Sequence, residues 1–189
     1  MDREYLNDVA SKGAILGVLM LVSHIFEQYM LLNGNLTRLG IVSIEMIALF
    51  GVFIYLLYRF TKNYSTRFSA EEGFAYSKAL GYVVTISLFA SIIVGLGSYL
   101  YTHFVIGYEE YVNGVVGMYT NILSSSPIPA QMMSTYEQML EQVSSQPEPG
   151  ILKTITSSLW NYLFLGGIVG LIIAGVVKRE PKIFENELE

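Results

Sequence analysis

The sequence contains no cysteine, which excludes disulfide bonds, thiolate catalysis and cysteine-ligated metal sites. It also carries little charge: 14% of its 189 residues are charged, with 11 basic residues against 16 acidic ones. The net charge of −5 argues against a nucleic-acid partner, because binding to phosphate groups needs a basic surface. What the chain has instead is apolar residues, which make up 52% of it.

The apolar residues are concentrated in four runs, and the mean hydropathy of +0.46 is typical of an integral membrane protein. About 20 helical residues cross a bilayer core of ~30 Å, so each run is long enough to span a membrane. The sequence therefore predicts an all-α fold, a single membrane domain over residues 1–189 built as a four-helix bundle. The predicted spans are residues 13–32, 39–58, 80–105 and 159–177.

The basic residues are distributed unevenly between the two sides of these spans. Nine of them lie in the N-terminal segment, the 59–79 loop and the C-terminal segment, and only Arg38 and Lys153 lie on the other side. Short cytoplasmic flanks are enriched in Lys and Arg. We therefore expect cytoplasmic termini, a cytoplasmic loop 59–79 and an outer loop 106–158. The start of the chain lacks the features of a cleaved signal peptide, so we expect the first span to be retained.

Two segments outside the spans have helical signals. Ser69 followed by Glu72 is a capping-box pattern and predicts a short helix from about Ala70 that runs into the third span. In the outer loop, apolar residues recur every three or four positions, with Glu137 and Glu141 on another face. This spacing predicts an amphipathic helix that lies on the membrane or covers the bundle. Its apolar positions are Met132, Tyr136, Met139 and Val143.

Three stretches of sequence and one compositional feature make the chain similar to a known family. The stretches are GFAYSKALGY, SLFASIIVGLGSYLYTHFV and GGIVGLIIAGVVKRE, and the outer loop is rich in Met, Gln and Glu. With these features the chain resembles, over nearly its whole length, the bacterial four-helix inner-membrane proteins catalogued as domain of unknown function 4199. The resemblance implies a four-span fold in a bacterial inner membrane and brings no activity with it. It also suggests neighbouring polyprenyl-phosphate glycosyltransferases, and thus an envelope-glycan context.

The first span carries polar residues in its apolar run. On a helix, His24, Glu27 and Gln28 share one face with small residues, and small residues mark close helix approach in membranes. We therefore expect this stripe to point into the bundle. Its members are Gly13, Gly17, Met20, His24, Glu27, Gln28 and Leu31.

The short turn after the first span places a second acid nearby. Glu27 and Glu45 are each nine residues from Leu36, the expected middle of the helical hairpin, so the two carboxyl groups are predicted to meet. Two adjacent carboxylates cannot both ionise in a low-dielectric site, so we expect at least one to carry a proton. His24, one turn deeper, can accept a proton or hold one Glu ionised. Two interpretations stay open: a proton relay or cation site, and polar groups that only hold helices together.

Small residues also recur every four positions in the third and fourth spans, which predicts two ridges that pack closely. The last span's ridge has a second interpretation, contact with another subunit. These residues are Ser87, Ser91 and Gly95, and Gly166, Gly170 and Ala174. Four basic residues near the 59–79 loop fit the positive-inside pattern, or alternatively bind anionic lipid head groups or a polyprenyl phosphate. They are Arg59, Lys62, Arg67 and Lys78.

The sequence contains no catalytic motif, so we expect neither an enzyme nor a cofactor. A single His-x-x-Glu with one further carboxylate lacks the second His that is typical of a set of metal ligands, so we also expect no metal site. The sequence favours a non-enzymatic accessory or scaffold subunit in envelope assembly. The alternative is an oligomeric proton-coupled transporter or channel that uses Glu27, Glu45 and His24. The expected partners are the lipid bilayer and either another protein or further copies of the chain, bound through membrane helices.

Overall fold

A computed structural model describes residues 3–32, 34–125 and 130–182. Within these residues there are six α-helices, a π-helical segment and no β-strand. Four helices are long and apolar enough to cross a membrane: α1, α2, α3 together with the π-helical segment, and α6. This confirms the predicted all-α membrane fold. The helices are α1 Arg3–Leu32, α2 Leu36–Ser65, α3 Tyr76–Leu100, α4 Tyr108–Ser125, α5 Ala130–Ser145 and α6 Ile151–Val177, and the π-helical segment is Tyr101–Ile106.

The four long helices run alternately up and down, so the bundle has two distinct ends. One end, called here the termini end, holds the start of α1, residues 66–75 and residues 178–182. The other, the loop end, holds residues 101–125 and 130–150. Contacts close the termini end: the Tyr82 hydroxyl donates to Asp8 at 2.5 Å, which joins α3 to α1. At the loop end, Asn35 caps α2 by accepting a hydrogen bond from the Arg38 backbone at 3.0 Å.

Helix α3 occupies the centre of the bundle, and its contacts with α6 and α1 are the most extensive. Small residues let the backbones approach, as at Gly17, where a Cβ atom would lie 2.9 Å from the carbonyl oxygen of Ala90. The predicted inward stripe of α1 is thereby turned toward α3. Fully buried members of this core include Leu16, Val83 and Ile86.

Helix α2 lies at the edge of this core. Phe53 and Leu57 are completely buried on its inner side, but Ile44 and Ile47 are 71% and 74% exposed. In a membrane an apolar surface of this kind faces lipid or another membrane helix. Helix α2 thus presents most of its length outward.

The predicted helix from Ala70 is wrong. The Ser69 hydroxyl does accept a hydrogen bond from the Glu72 backbone at 3.1 Å, so the capping interaction forms. The turn stops at Gly73, whose φ of +65° is left-handed, a conformation that glycine adopts without steric cost. Residues 70–72 therefore form a single turn, and α3 begins at Tyr76.

A C-terminal strap, residues 178–182, holds the connection between α2 and α3. Phe74 and Arg179 exchange two backbone hydrogen bonds of 2.8 and 3.0 Å. The Arg179 guanidinium also donates to the carbonyl oxygens of Ser65 at 2.5 Å and Phe68 at 3.2 Å. Gly73 sits against the strap, since a Cβ there would lie 2.7 Å from the Arg179 carbonyl oxygen. The strap was not predicted.

The loop end contains one predicted helix and one that sequence reasoning missed. Helix α5 corresponds to the predicted amphipathic helix, with Tyr136, Met139 and Val143 partly buried and Glu137 and Glu141 exposed. The side chain of Met132, also predicted for its apolar face, lies outside the described part of the chain.

Helix α4 was missed, although its inner face has a helical spacing of four and three residues. That face consists of Tyr111, Val115, Met118 and Ile122.

Candidate functional site

The polar residues of α1 form one row toward the loop end of the bundle. Ser23 and Gln28 are buried, and the side chains of His24 and Glu27 are 36% and 20% exposed. The row results from the close packing of α1 on α3, which turns this face inward. The structure thus brings three of the four predicted polar residues, His24, Glu27 and Gln28, together on α1.

His24 contacts polar groups through both ring nitrogens. Its Nε2 lies 3.0 Å from the Ser98 hydroxyl and 3.1 Å from the Gln28 amide nitrogen, and its Nδ1 lies 3.6 Å from a carboxyl oxygen of Glu27. Because the Gln28 amide donates, Nε2 accepts, and a neutral imidazole then carries its proton on Nδ1. The proton of His24 thus faces Glu27.

Gln28 extends this row to the next helix. Its amide nitrogen donates to the Thr102 hydroxyl at 3.4 Å, and Thr102 belongs to the π-helical segment at the end of α3. Such π-helical turns widen a helix locally and occur often at functional sites. A set of hydrogen-bonded side chains therefore runs from His24 through Gln28 to Thr102, and the Glu27 carboxyl lies 3.6 Å from His24 at one end of it.

Glu45 does not bond to Glu27 as expected: the Ser23 hydroxyl, one turn away on α1, donates to its Oε1. The reason is the hairpin, because α1 ends at Leu32 and α2 begins at Leu36, which puts the reversal at Gly34. Ser23 and Glu45 are each eleven residues from Gly34 and so face each other. The other Glu45 oxygen, Oε2, is buried without a hydrogen-bond partner.

Two cavities meet at His24. The central cavity, about 330 Å³, lies between all four long helices and is lined by Met20, Glu27, Met46, Phe50, Val94 and Tyr162 as well as His24. The loop-end cavity, about 180 Å³, is lined by Gln28, Ser98, Thr102, His103, Tyr111 and Glu148 as well as His24. His24 is therefore the lining residue that the two cavities share.

The loop-end cavity contains a second ionisable pair that sequence reasoning missed. His103 Nδ1 contacts a carboxyl oxygen of Glu148, and the imidazole stacks on Tyr99 with ring centroids 5.3 Å apart. Burial raises the pKa of the Tyr111 phenol, with smaller contributions from Tyr108 and Tyr119. No motif signals the pair, because 45 residues separate His103 from Glu148.

The small-residue positions of α3 and α6 lie in the contact between those helices. A Cβ atom at Gly166 would lie 2.6 Å from Ser87 Cβ, and one at Gly95 would lie 2.9 Å from Ile155 Cα. Gly170 packs against Val83, and Ser91 and Ala174 are fully buried. These residues allow the two backbones to approach within the chain.

The four basic residues near the termini end have different surroundings. Arg67 pairs with Asp8 at 2.9 Å and with Glu4 at 3.6 Å. The ammonium groups of Lys62 and Lys78 lie over the rings of Tyr58 and Phe68, 5.6 and 4.6 Å from the ring centroids. Arg67 is thus part of the termini-end packing, while Arg59, Lys62 and Lys78 are exposed.

In the part of the chain that the structure describes, no three His, Cys, Asp or Glu side chains are grouped so as to hold a metal ion. Searches of the curated proteins and of the solved structures each found no match. A protein-family profile described as "Protein of unknown function (DUF4199)" matches residues 12–179, which include α2, α3 and α6 in full and α1 from Lys12 onward. The chain therefore belongs to the DUF4199 family of membrane proteins.

Proposed function

We propose that this membrane protein takes up protons at Glu27 and Glu45 and passes them through His24, as part of an oligomeric proton-coupled transporter or channel. The observation that carries the proposal is the position of His24, which lines both cavities and contacts Glu27 on one side and Ser98 and Gln28 on the other. An imidazole that contacts polar groups through both nitrogens can accept a proton on one and release it from the other.

The acids suit this role because both lie in membrane-spanning helices. Ionisable side chains are costly in a bilayer, and those that persist there commonly belong to ion or proton pathways. Glu45 Oε2, which is buried without a partner, offers a place for a proton or a cation. Packing alone would not require a carboxyl group with one unsatisfied oxygen.

Oligomerisation is part of the proposal, since four helices enclose only a small pathway. The outward apolar face of α2, which includes Ile44 and Ile47, supplies a surface for contact between copies. We further propose a bacterial inner membrane, with the termini end in the cytoplasm. The nine basic residues of that side support this orientation, and Arg59, Lys62 and Lys78 would then lie among anionic lipid head groups.

The test is proton flux into liposomes that contain the purified protein and a pH-sensitive dye. A Glu27→Gln, Glu45→Gln double variant keeps the shape of both side chains and removes their protonation, so we expect the flux to fall to the level of empty liposomes. The matched control is Glu137→Gln with Glu141→Gln, the same chemical change on the exposed face of α5. Full flux through the Glu27 and Glu45 variant would refute the proposal.

A second candidate function is an accessory or scaffold subunit in envelope assembly, in which the same outward face of α2 would contact a different protein. Only 11% of the most apolar 18-residue segment of α2 is buried. The rest of this segment offers an apolar surface to a helix of another membrane protein. The test is gentle extraction of the tagged protein with mass spectrometry of what accompanies it. A stoichiometric partner that is lost when Ile44 and Ile47 are both changed to Gly would support this function, and a homogeneous homo-oligomer would contradict it.

A further inference from the structure

The central cavity has the size and position of a ligand site. Its volume of about 330 Å³ is in the range of small-molecule sites, which are mostly apolar with a few placed polar groups. All four long helices contribute to its lining, among them Glu27 of α1, Phe50 of α2, Val94 of α3 and Tyr162 of α6. The cavity is thus built by the fold as a whole.

The lining combines one acid with soft, apolar walls. Glu27 is the acidic side chain of the cavity, none of its described lining residues is Lys or Arg, and its walls include the rings of Phe50 and Tyr162 and the thioethers of Met20 and Met46. Aromatic faces attract cations, and methionine adapts to varied apolar shapes. The charge and the walls together favour a positively charged molecule with an apolar body.

A bare metal ion fits this lining less well. Hard cations need several oxygen ligands to replace their water shell, and the cavity offers oxygens only from Glu27, Asn161 and Tyr162 among its described lining residues. Apolar walls do not replace water around a small ion. An organic cation, whose charge is spread over apolar groups, loses little hydration on entering.

The cavity is accessible from the side of the bundle. Met46 and Phe50, which line it from α2, are 53% and 45% exposed, so its mouth opens between helices toward the surface that lipid covers. A lipophilic cation concentrates in a bilayer and can enter there. On the side away from this mouth, His24 also lines the loop-end cavity.

We propose that the central cavity binds a lipophilic organic cation, which displaces a proton from Glu27. This exchange rests on the proposed function, in which Glu27 takes up a proton. Because Glu27 has one negative charge, it can neutralise either the proton or the cation but not both. The titratable groups that line the cavity with Glu27 are His24 on α1 and Tyr162 on α6; Glu45 of α2 bonds to Ser23, and Val94 is the lining residue from α3. Protonation of Glu27 removes the negative charge that attracts the cation, so binding tightens as pH rises.

The probe is radiolabelled tetraphenylphosphonium, measured by equilibrium binding to the full chain in nanodiscs, with empty nanodiscs to correct for partition into lipid. We expect saturable binding that is tighter at high pH than at low pH, because protons compete with the cation for Glu27. Glu27→Gln should weaken binding by roughly tenfold, equivalent to the loss of one charge pair, and remove most of the pH dependence. Glu137→Gln, on exposed α5, should bind like the original chain.

A second variant keeps the inference testable if Glu27→Gln does not fold. Met46→Trp places a large side chain at the half-exposed mouth and leaves Glu27 in place, so we expect tetraphenylphosphonium affinity to fall roughly tenfold. Binding to both variants equal to that of the original chain, or no binding above empty nanodiscs, would overturn the inference.

Proton flux in liposomes without the cation separates this inference from the proposed function. Flux that depends on Glu27, in a chain that binds no tetraphenylphosphonium, would overturn the cation site and leave the proton function intact. Saturable cation binding with no proton flux, either without the cation or after the cation is added, would retain the site and refute proton coupling.

Discussion

Helices α2 and α3 are almost equally apolar: the mean hydropathy of the most apolar 18-residue segment is 2.3 in α2 and 2.2 in α3. Only 11% of that segment is buried in α2, whereas 50% is buried in α3. The difference lies in side-chain size. Helix α3 carries Ser87, Ser91 and Gly95 along one face, whereas α2 carries Ile44, Ile47 and Phe50. Lipid is as apolar as a protein core, so small residues rather than hydrophobicity determine which helix packs centrally.

The largest effect should come from adding one methyl group between α3 and α6. Gly166→Ala would place a Cβ atom 2.6 Å from Ser87 Cβ, and we expect overpacking to cost about 3 kcal/mol of unfolding free energy. Gly167→Ala is the matched control, because nothing lies within 4 Å of a Cβ there. SDS titration in mixed micelles measures both. Equal stability of the two variants would mean that the ridges do not determine how close the helices come.

On α2, the inner and outer faces should differ sharply. Phe53→Ala removes a fully buried ring and should cost about 2 kcal/mol, less than in a soluble protein because the unfolded helix stays in apolar surroundings. Ile47→Ala, at a position that is 74% exposed, should change stability by less than about 0.5 kcal/mol in the same titration. A large loss at Ile47 would show that the outer face is covered, as in an oligomer.

The polar contact between α3 and α1 should matter less than either packing interface. Tyr82→Phe removes the hydroxyl that donates to Asp8 and leaves Asp8 paired with Arg67, so we expect a loss of about 1 kcal/mol. Tyr55→Phe, on the exposed face of α2, is the control. Thermal unfolding monitored by circular dichroism measures the stability of the two variants. Identical unfolding curves for Tyr82→Phe and Tyr55→Phe would mean that the hydroxyl contributes nothing and that ring packing alone holds α1 and α3 together at the termini end.

The smallest effect on stability should come from the polar contact of α2. Glu45→Gln keeps the acceptor for Ser23 and replaces the unpartnered oxygen by an amide, so we expect a change within about 0.5 kcal/mol of the original stability. A loss above about 2 kcal/mol would identify Glu45 as packing and would weigh against its proposed role with protons. SDS titration again supplies the measurement.

The sequence was sufficient for the four long helices, because an apolar run of about 20 residues has few alternatives to a membrane helix. It misled at Ala70, where a genuine capping interaction is followed by left-handed Gly73. A capping-box pattern such as that of Ser69 and Glu72 predicts only the first turn of a helix, and the residues that follow decide whether the helix continues. Helix α4 was overlooked although its apolar spacing was present, since Gly114 and Gly117 lower its helical propensity.

For the candidate site, helical periodicity placed His24, Glu27 and Gln28 on one inward face. Glu27 was predicted to face Glu45 because the turn was taken to be longer than it is. Its midpoint lies at Gly34 and not at Leu36, and this shift of two residues places Ser23, four positions before Glu27, opposite Glu45. The pair of His103 with Glu148 could not be predicted, since only the folded loop end brings these two positions together. Short-range geometry was readable from the sequence, and long-range pairing was not.

The strap of residues 178–182 has a consequence for biogenesis. Arg179 follows α6 in the chain, so its backbone bonds to Phe74 cannot form until α6 has been synthesised and inserted. Until then, the backbone groups of Phe74 and the carbonyl oxygens of Ser65 and Phe68 lack these partners. Closure of the strap therefore depends on the insertion of α6, and a chain arrested before α6 lacks the bonds that hold the connection between α2 and α3.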